Sequence, residues 1–315
     1  MCVFKTIASI MLLVLAAALH AHPQNPGVSA GSIPARNDNS LIEIQKKGGD
    51  PKSVRKRPTR PGEVKIEFYG HDAFKITSSS GLTVLTDPWR NDSTGQYSKW
   101  FLNAFPALRV DIVLSTHAHF DHDAVDLPNG LMVLERLVGR FRLGDVEITG
   151  LADKHQGQST SDVTSDHAST NSQVEARPPN NVISSDNAIQ IIATGGLRIV
   201  IWGDNRATPD PSLDHYLENV DVLMLPVDNV LTRPEVDAII RKYVPKAVIP
   251  AHYFIAGLST DGSGLDSADD WVNEQEKMHH ADVRRLTRAD LTLSSAKLKR
   301  AHHRIYYFGN YLEKE

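Results

Sequence analysis

The stretch Leu114-Ser-Thr-His-Ala-His-Phe-Asp-His122 constrains this chain more than any other. It follows Val110-Asp-Ile-Val-Leu114, an apolar run that reads as a buried strand. Three imidazoles and a carboxylate, from His117, His119, Asp121 and His122, fall within six residues. Nitrogen and oxygen donors this close, on a loop leaving a strand, are what a borderline ion such as zinc requires. Alternate residues of an extended segment face the same way, so His117 and His119 can converge on one ion. Asp121 and His122 come after the chain turns and can face a second.

Three further strand ends offer donors. Leu151-Ala-Asp-Lys-His155 puts an imidazole just beyond one strand. Leu197-Arg-Ile-Val-Ile-Trp202 runs into Gly203-Asp204, and Ala247-Val-Ile-Pro250 is followed at once by His252. Loops at the carboxyl ends of strands are where layered α/β folds build active sites. Asp204 could bridge two ions, with His155 and His252 completing one sphere each.

The remaining pattern supplies a scaffold. Strands are expected at 64–68, 73–77 and 82–89, the last containing Asp87-Pro88, then at 140–143, 146–149, 187–193, 222–225 and 304–308. Helices are expected at 211–219, 233–244 (with Pro234 in the first turn) and 268–280. Residues 90–108 read as an irregular aromatic loop. His71 lies in the turn Gly70-His-Asp72, either near the site or bonded to backbone. Asp228 and Tyr253 border the site in sequence, but turn capping and packing explain them equally well. The pairs His279-His280 and His302-His303 read as surface, and His167 as solvated.

Residues 1–21 read as a signal peptide, with Lys5 before the apolar run Ile7 to Leu19 and small residues near Ala21. That run is shorter than the roughly 20 residues a spanning helix needs, so export to the periplasm or outside is expected, without stable membrane insertion after cleavage. Residues 22–62, with basic residues from Lys52 through Arg60, read as a disordered linker. The catalytic domain is then 63–315. The only cysteine is Cys2, inside the leader, which removes disulfides, thiolate ligands and cysteine nucleophiles from the mature chain. A formal net charge of -4 makes no general case for nucleic acid, so a small-molecule substrate is expected. Oligomeric state is not legible. The polar stretch 156–181 is a long loop suited to setting specificity.

The HxHxDH pattern at 117–122, with Asp87, His155, Asp204 in Trp-Gly-Asp and His252 in Ile-Pro-Ala-His-Tyr, resembles the metallo-β-lactamase fold superfamily. Gly70-His71, Gly195-Gly-Leu-Arg-Ile199, Leu225-Pro-Val-Asp228 and Pro245 to His252 are similar to its ascorbate-6-phosphate-lactonase-like branch. The resemblance implies an α/β fold, an αββα sandwich of two mixed β-sheets flanked by helices. It implies one zinc on His117, His119 and His155, another on Asp121, His122 and His252, and Asp204 between them. Asp87 would sit behind the ligands and orient one, and His71 is placed there too. Two such ions about 3.5–4 Å apart generate a hydroxide nucleophile, which Asp121 would orient and deprotonate. The expected activity is hydrolysis of a lactone, ester or phosphoester. A nucleic-acid phosphodiesterase and a non-haem iron oxidoreductase are the alternatives, and iron or manganese could take the same ligands. The diiron branch, however, usually carries Glu where this chain has Ala118.

Overall fold

Val64, Ile66 and Phe68 alternate with Lys65 and Glu67, and this period of two forms β1 (Glu63–Phe68) with its apolar face wholly buried. The computed structural model to which this strand belongs describes residues 60–156 and 185–314. The leader, the linker as far as residue 59, and the 157–181 part of the polar loop with His167 lie outside the described residues.

The first sheet continues through β2 (Phe74–Thr77), β3 (Thr83–Thr86), β4 (Arg109–Ser115) and β5 (Asn129–Glu135). The second holds β6 (Gly139–Leu143), β7 (Val146–Asp153), β8 (Asn187–Thr194), β9 (Leu197–Ile201), β10 (Val222–Pro226), β11 (Ala247–Ala251), β12 (Asp282–Arg285) and β14 (Arg304–Tyr307). The remaining strand, β13 (Asp290–Ser294), returns to the first sheet. The orders are β13-β1-β2-β3-β4-β5 and β12-β14-β11-β10-β9-β8-β7-β6. Both are mixed: β3, β4 and β5 run parallel, as do β9, β10, β11, β14 and β12, while the other pairs are antiparallel.

The sheets share one core, in which Val64, Ile66 and Ile112 of the first join Ile192, Ile199 and Val248 of the second. The Phe68 ring stacks on Phe74 at 4.9 Å and reaches Phe308, just beyond β14, at 5.1 Å, so aromatic contact ties the two layers. Helices are few. α1 (Arg233–Tyr243) connects β10 to the parallel β11 and buries Val236, Ile239, Ile240 and Tyr243. Its first turn is closed by the Glu235 carboxylate accepting from the Thr232 N–H at 2.8 Å. α2 (Asp269–Met278) buries Trp271 and Val272, and α3 (Ser295–Leu298) is a single turn. No helix among the described residues is long and apolar enough to cross a membrane.

Four departures from the sequence reading stand out. The helix expected at 211–219 is a 3-10 segment, Pro211–Tyr216, that buries no residue and so has no apolar face to lengthen it. The expected strand over 82–89 stops at Thr86, because Asp87 takes a φ of 39° and turns the chain. Strands β5, β12 and β13 were not expected at all. His303, read as surface, is half-buried, its ring bonded to Gln275 at 3.1 Å.

Candidate metal centre

Six chain segments deliver the candidate residues, each from just past a strand end. β1 leads to His71, β3 to Asp87, β4 to the 117–122 stretch, β7 to His155, β9 to Asp204 and β11 to His252. The parallel pairing of β3 with β4 places Asp87 beside Thr116. Asp87 Oδ1 accepts from the Thr116 N–H at 2.7 Å, and Oδ2 accepts from its hydroxyl at 2.8 Å. His71, Asp87 and His252 all have positive φ, at 57°, 39° and 55°. Non-glycine residues rarely adopt that region, and such strain gathers where side-chain placement matters.

Among the described residues, donor atoms converge in overlapping groups. His117 Nε2 and His119 Nδ1 are 2.9 Å apart. With His155 and Asp204 they offer four donor atoms within 4.8 Å of one another. The second group, equally tight, is His71, Asp121, His122 and His252. Asp204 faces both: its Oδ2 is 3.4 Å from His155 Nε2 and its Oδ1 is 3.4 Å from His122 Nε2. His71, placed behind the ligands by the sequence reading, stands inside the second group with Nε2 2.9 Å from Asp121 Oδ2.

The opposite ring nitrogens are tied down. His122 Nδ1 lies 3.1 Å from Asp87 Oδ2, His117 Nδ1 3.0 Å from Thr116 Oγ1, and His155 Nδ1 2.7 Å from the Gln156 carbonyl. Each ring therefore turns its other nitrogen inward. The loop carrying Asp204 is held by Asn205, whose amide donates to Asp153 Oδ2 at 2.8 Å and whose Oδ1 accepts from Asn187 at 3.0 Å. Arg206 braces the same Asp153 at 2.6 Å.

Burial and charge act against each other here. Burial raises Asp121 and Asp204, yet the surrounding histidines outweigh it and hold both well below the ordinary carboxylate range. Burial likewise lowers His122 and His252, but the facing carboxylates lift His122 well above the usual range and His252 to about 9. Burial, with His252 adding repulsion, pushes His71 down to about 3, so it is neutral. Burial also drives His117 well below the usual range. Buried histidines and carboxylates in such opposition mark a functional site.

The donors fit a cation. His122 Nε2, His155 Nε2 and Asp204 Oδ1 are buried without a hydrogen-bond partner among the described residues, a costly arrangement for polar atoms that an ion relieves. Two residues went unremarked in the sequence. Thr116 is the common support of Asp87 and His117. Asp72, a turn residue by sequence, is wholly buried beside His122 and His252, and burial raises its carboxyl to about 7. The other sequence candidates have plain roles. Tyr253 donates its hydroxyl to the Gly309 carbonyl at 3.0 Å, and Asp228 accepts the Asp266 N–H at 2.6 Å.

Comparison with known proteins gives this constellation a family. The profile described as "Beta-lactamase superfamily domain" matches residues 65–252, from β1 to His252. The chain belongs to the metallo-β-lactamase superfamily. Among superfamily relatives, a UPF0173 metal-dependent hydrolase of Thermodesulfovibrio yellowstonii is 28% identical over 213 residues, 61% of this chain and 79% of that one. Another, from Pyrobaculum islandicum, is 28% identical over 200 residues, 60% of this chain and 84% of its own. A solved Thermotoga maritima structure, described as a Zn-dependent hydrolase of the superfamily, aligns with TM-score 0.49 and 17% identity over 78% of this chain and 96% of that chain.

Proposed function

We propose that this metal-dependent hydrolase of the metallo-β-lactamase superfamily is an exported enzyme that holds two zinc ions and cleaves a small lactone, ester or phosphoester. We assign it to the ascorbate-6-phosphate-lactonase-like branch on Gly70-His71 and the Pro245 to His252 segment. The observation that carries the reading is the position of Asp204, with one oxygen toward His155 and the other toward His122. His117, His119 and His155 would hold one ion, Asp121, His122 and His252 the other, and Asp204 would serve both. When bound, such ions supply Lewis acidity and bring the pKa of a bound water to near 7.

The chain's own residues do the rest. Asp121 stays anionic among His122, His252 and His71, so it can accept a hydrogen bond from an attacking water and align it. His71, neutral at physiological pH, donates Nε2–H to Asp121 and fixes the orientation of that carboxylate. Half-buried Trp100 and Phe120 pack edge to face at 5.1 Å, and Trp100 lies 6.1 Å from His71, an aromatic wall suited to the apolar part of a small substrate.

The test is a screen of the zinc-loaded protein against lactones, carboxylic esters, phosphodiesters and β-lactams. Hydrolysis of a lactone, ester or phosphoester that disappears in His119→Ala supports the reading. No turnover of any class, or full activity in His119→Ala, would overturn it.

A further inference from the structure

The turn after β1 carries an acid that nothing else in the fold uses. Asp72 has no exposed surface, and neither carboxylate oxygen has a hydrogen-bond partner among the described residues. Its backbone is fixed, with the Ala73 N–H donating to the Gly70 carbonyl at 2.9 Å and the Thr86 hydroxyl to the Asp72 carbonyl at 3.1 Å. From that turn Oδ2 comes 3.9 Å from His122 Nε2, and one carboxylate oxygen lies within 4.8 Å of donor atoms from His122, Asp204 and His252. Asp87, equally buried, is satisfied by Thr116 and His122. Asp72 has no such partners, and a buried carboxylate without them is strongly disfavoured unless a cation takes their place.

We propose that Asp72 is a further ligand of the ion held by His122 and His252. The assignment rests on the metal-centre reading above and deepens it. That ion then faces three carboxylates, Asp72, Asp121 and Asp204, and the imidazoles of His122 and His252, with His71 committed to Asp121 through Nε2, whereas its neighbour faces His117, His119, His155 and one carboxylate. Imidazole-rich sets suit zinc, while oxygen donors suit harder ions that accept more ligands, such as Mn2+. The two positions therefore differ: one is a zinc position, and the other discriminates far less against Mn2+.

Asp72→Asn and Asp72→Ala in the full chain test this without substrate. Mn2+ binding is followed by electron paramagnetic resonance, and metal content is measured after loading with equal Zn2+ and Mn2+. Both variants should lose roughly ten-fold or more in Mn2+ affinity and retain a lower Mn:Zn ratio, with zinc kept at the His117 position. Melting of the metal-free protein should be unchanged or higher, since a buried unpaired carboxylate is gone, while the increase on adding Mn2+ shrinks. Unchanged Mn2+ affinity and Mn:Zn ratio in both variants would overturn the assignment. So would a fall in metal-free melting as large as the fall in the loaded form, which marks a structural residue. Active hydrolysis with unchanged Mn2+ binding overturns Asp72 alone, and a failed hydrolysis screen leaves these metal readouts standing.

Discussion

Asp87 grips His122 by Nδ1 at 3.1 Å, and so aims the opposite ring nitrogen at Asp204 Oδ1, 3.4 Å away. The carboxylate is itself gripped by the Thr116 N–H and hydroxyl, so the residue just past the end of β4 sets a ring orientation in the centre. Partners behind a ligand fix its tautomer and raise its basicity.

Asp87→Ala should therefore lower metal affinity by about 10–100-fold while leaving all the inward-facing donors in place. Competition against a chelator of known affinity measures this. Wild-type affinity in the variant would show that His122 needs no such support.

Gly203 lies between Trp202 and Asp204 with a φ of 56°, and a Cβ there would stand 2.5 Å from Thr116 Oγ1 and 2.7 Å from Thr116 Cβ. Gly203→Ala should displace Thr116, and with it Asp87 and His117. A stability loss of about 1–3 kcal/mol in urea titration is expected, together with weakened metal binding. A variant as stable as wild type with unchanged metal affinity would contradict this coupling.

Far from the centre, Asp145 ties the β6–β7 turn to the β2–β3 turn, accepting from Ser78 Oγ at 2.9 Å and the Ser80 N–H at 3.0 Å. Burial raises its pKa, but the bonds from Ser80 and Ser78 outweigh it and hold it below 3.8. A carboxyl depressed by folding contributes stability above its unfolded pKa and loses it as pH falls through the folded value. Asp145→Asn should thus cost up to about 1 kcal/mol at neutral pH, with the gap closing below roughly pH 4. Thermal melts of both proteins across that range decide it, and a gap undiminished in acid would contradict the assignment.

The scaffold around the centre was legible because its strands are dense apolar runs that end in donors, as in Val110–Leu114 and Ala247–Pro250. β5 was not: Leu131 to Leu134 is a short continuous apolar run whose periodicity cannot separate strand from helix, and Leu131 and Val133 are exposed at a sheet edge. β12 and β13 are short and partly exposed, and they form by pairing with β14 and with the distant β1. Their cause is tertiary, so no local pattern announces them. Asp72 was obscured by chemistry of another kind. An aspartate after Gly-His reads as a turn former, and only the fold reveals that its side chain enters the centre.

Metal content of the purified, zinc-loaded chain tests the central claim most directly, with His119→Ala measured alongside. Two sets of donors with Asp204 between them, 3.4 Å from both His155 and His122, predict close to two ions per chain, falling to about one in His119→Ala as the first set loses a donor. A single ion per chain in wild type, retained in His119→Ala, would contradict the two-ion centre.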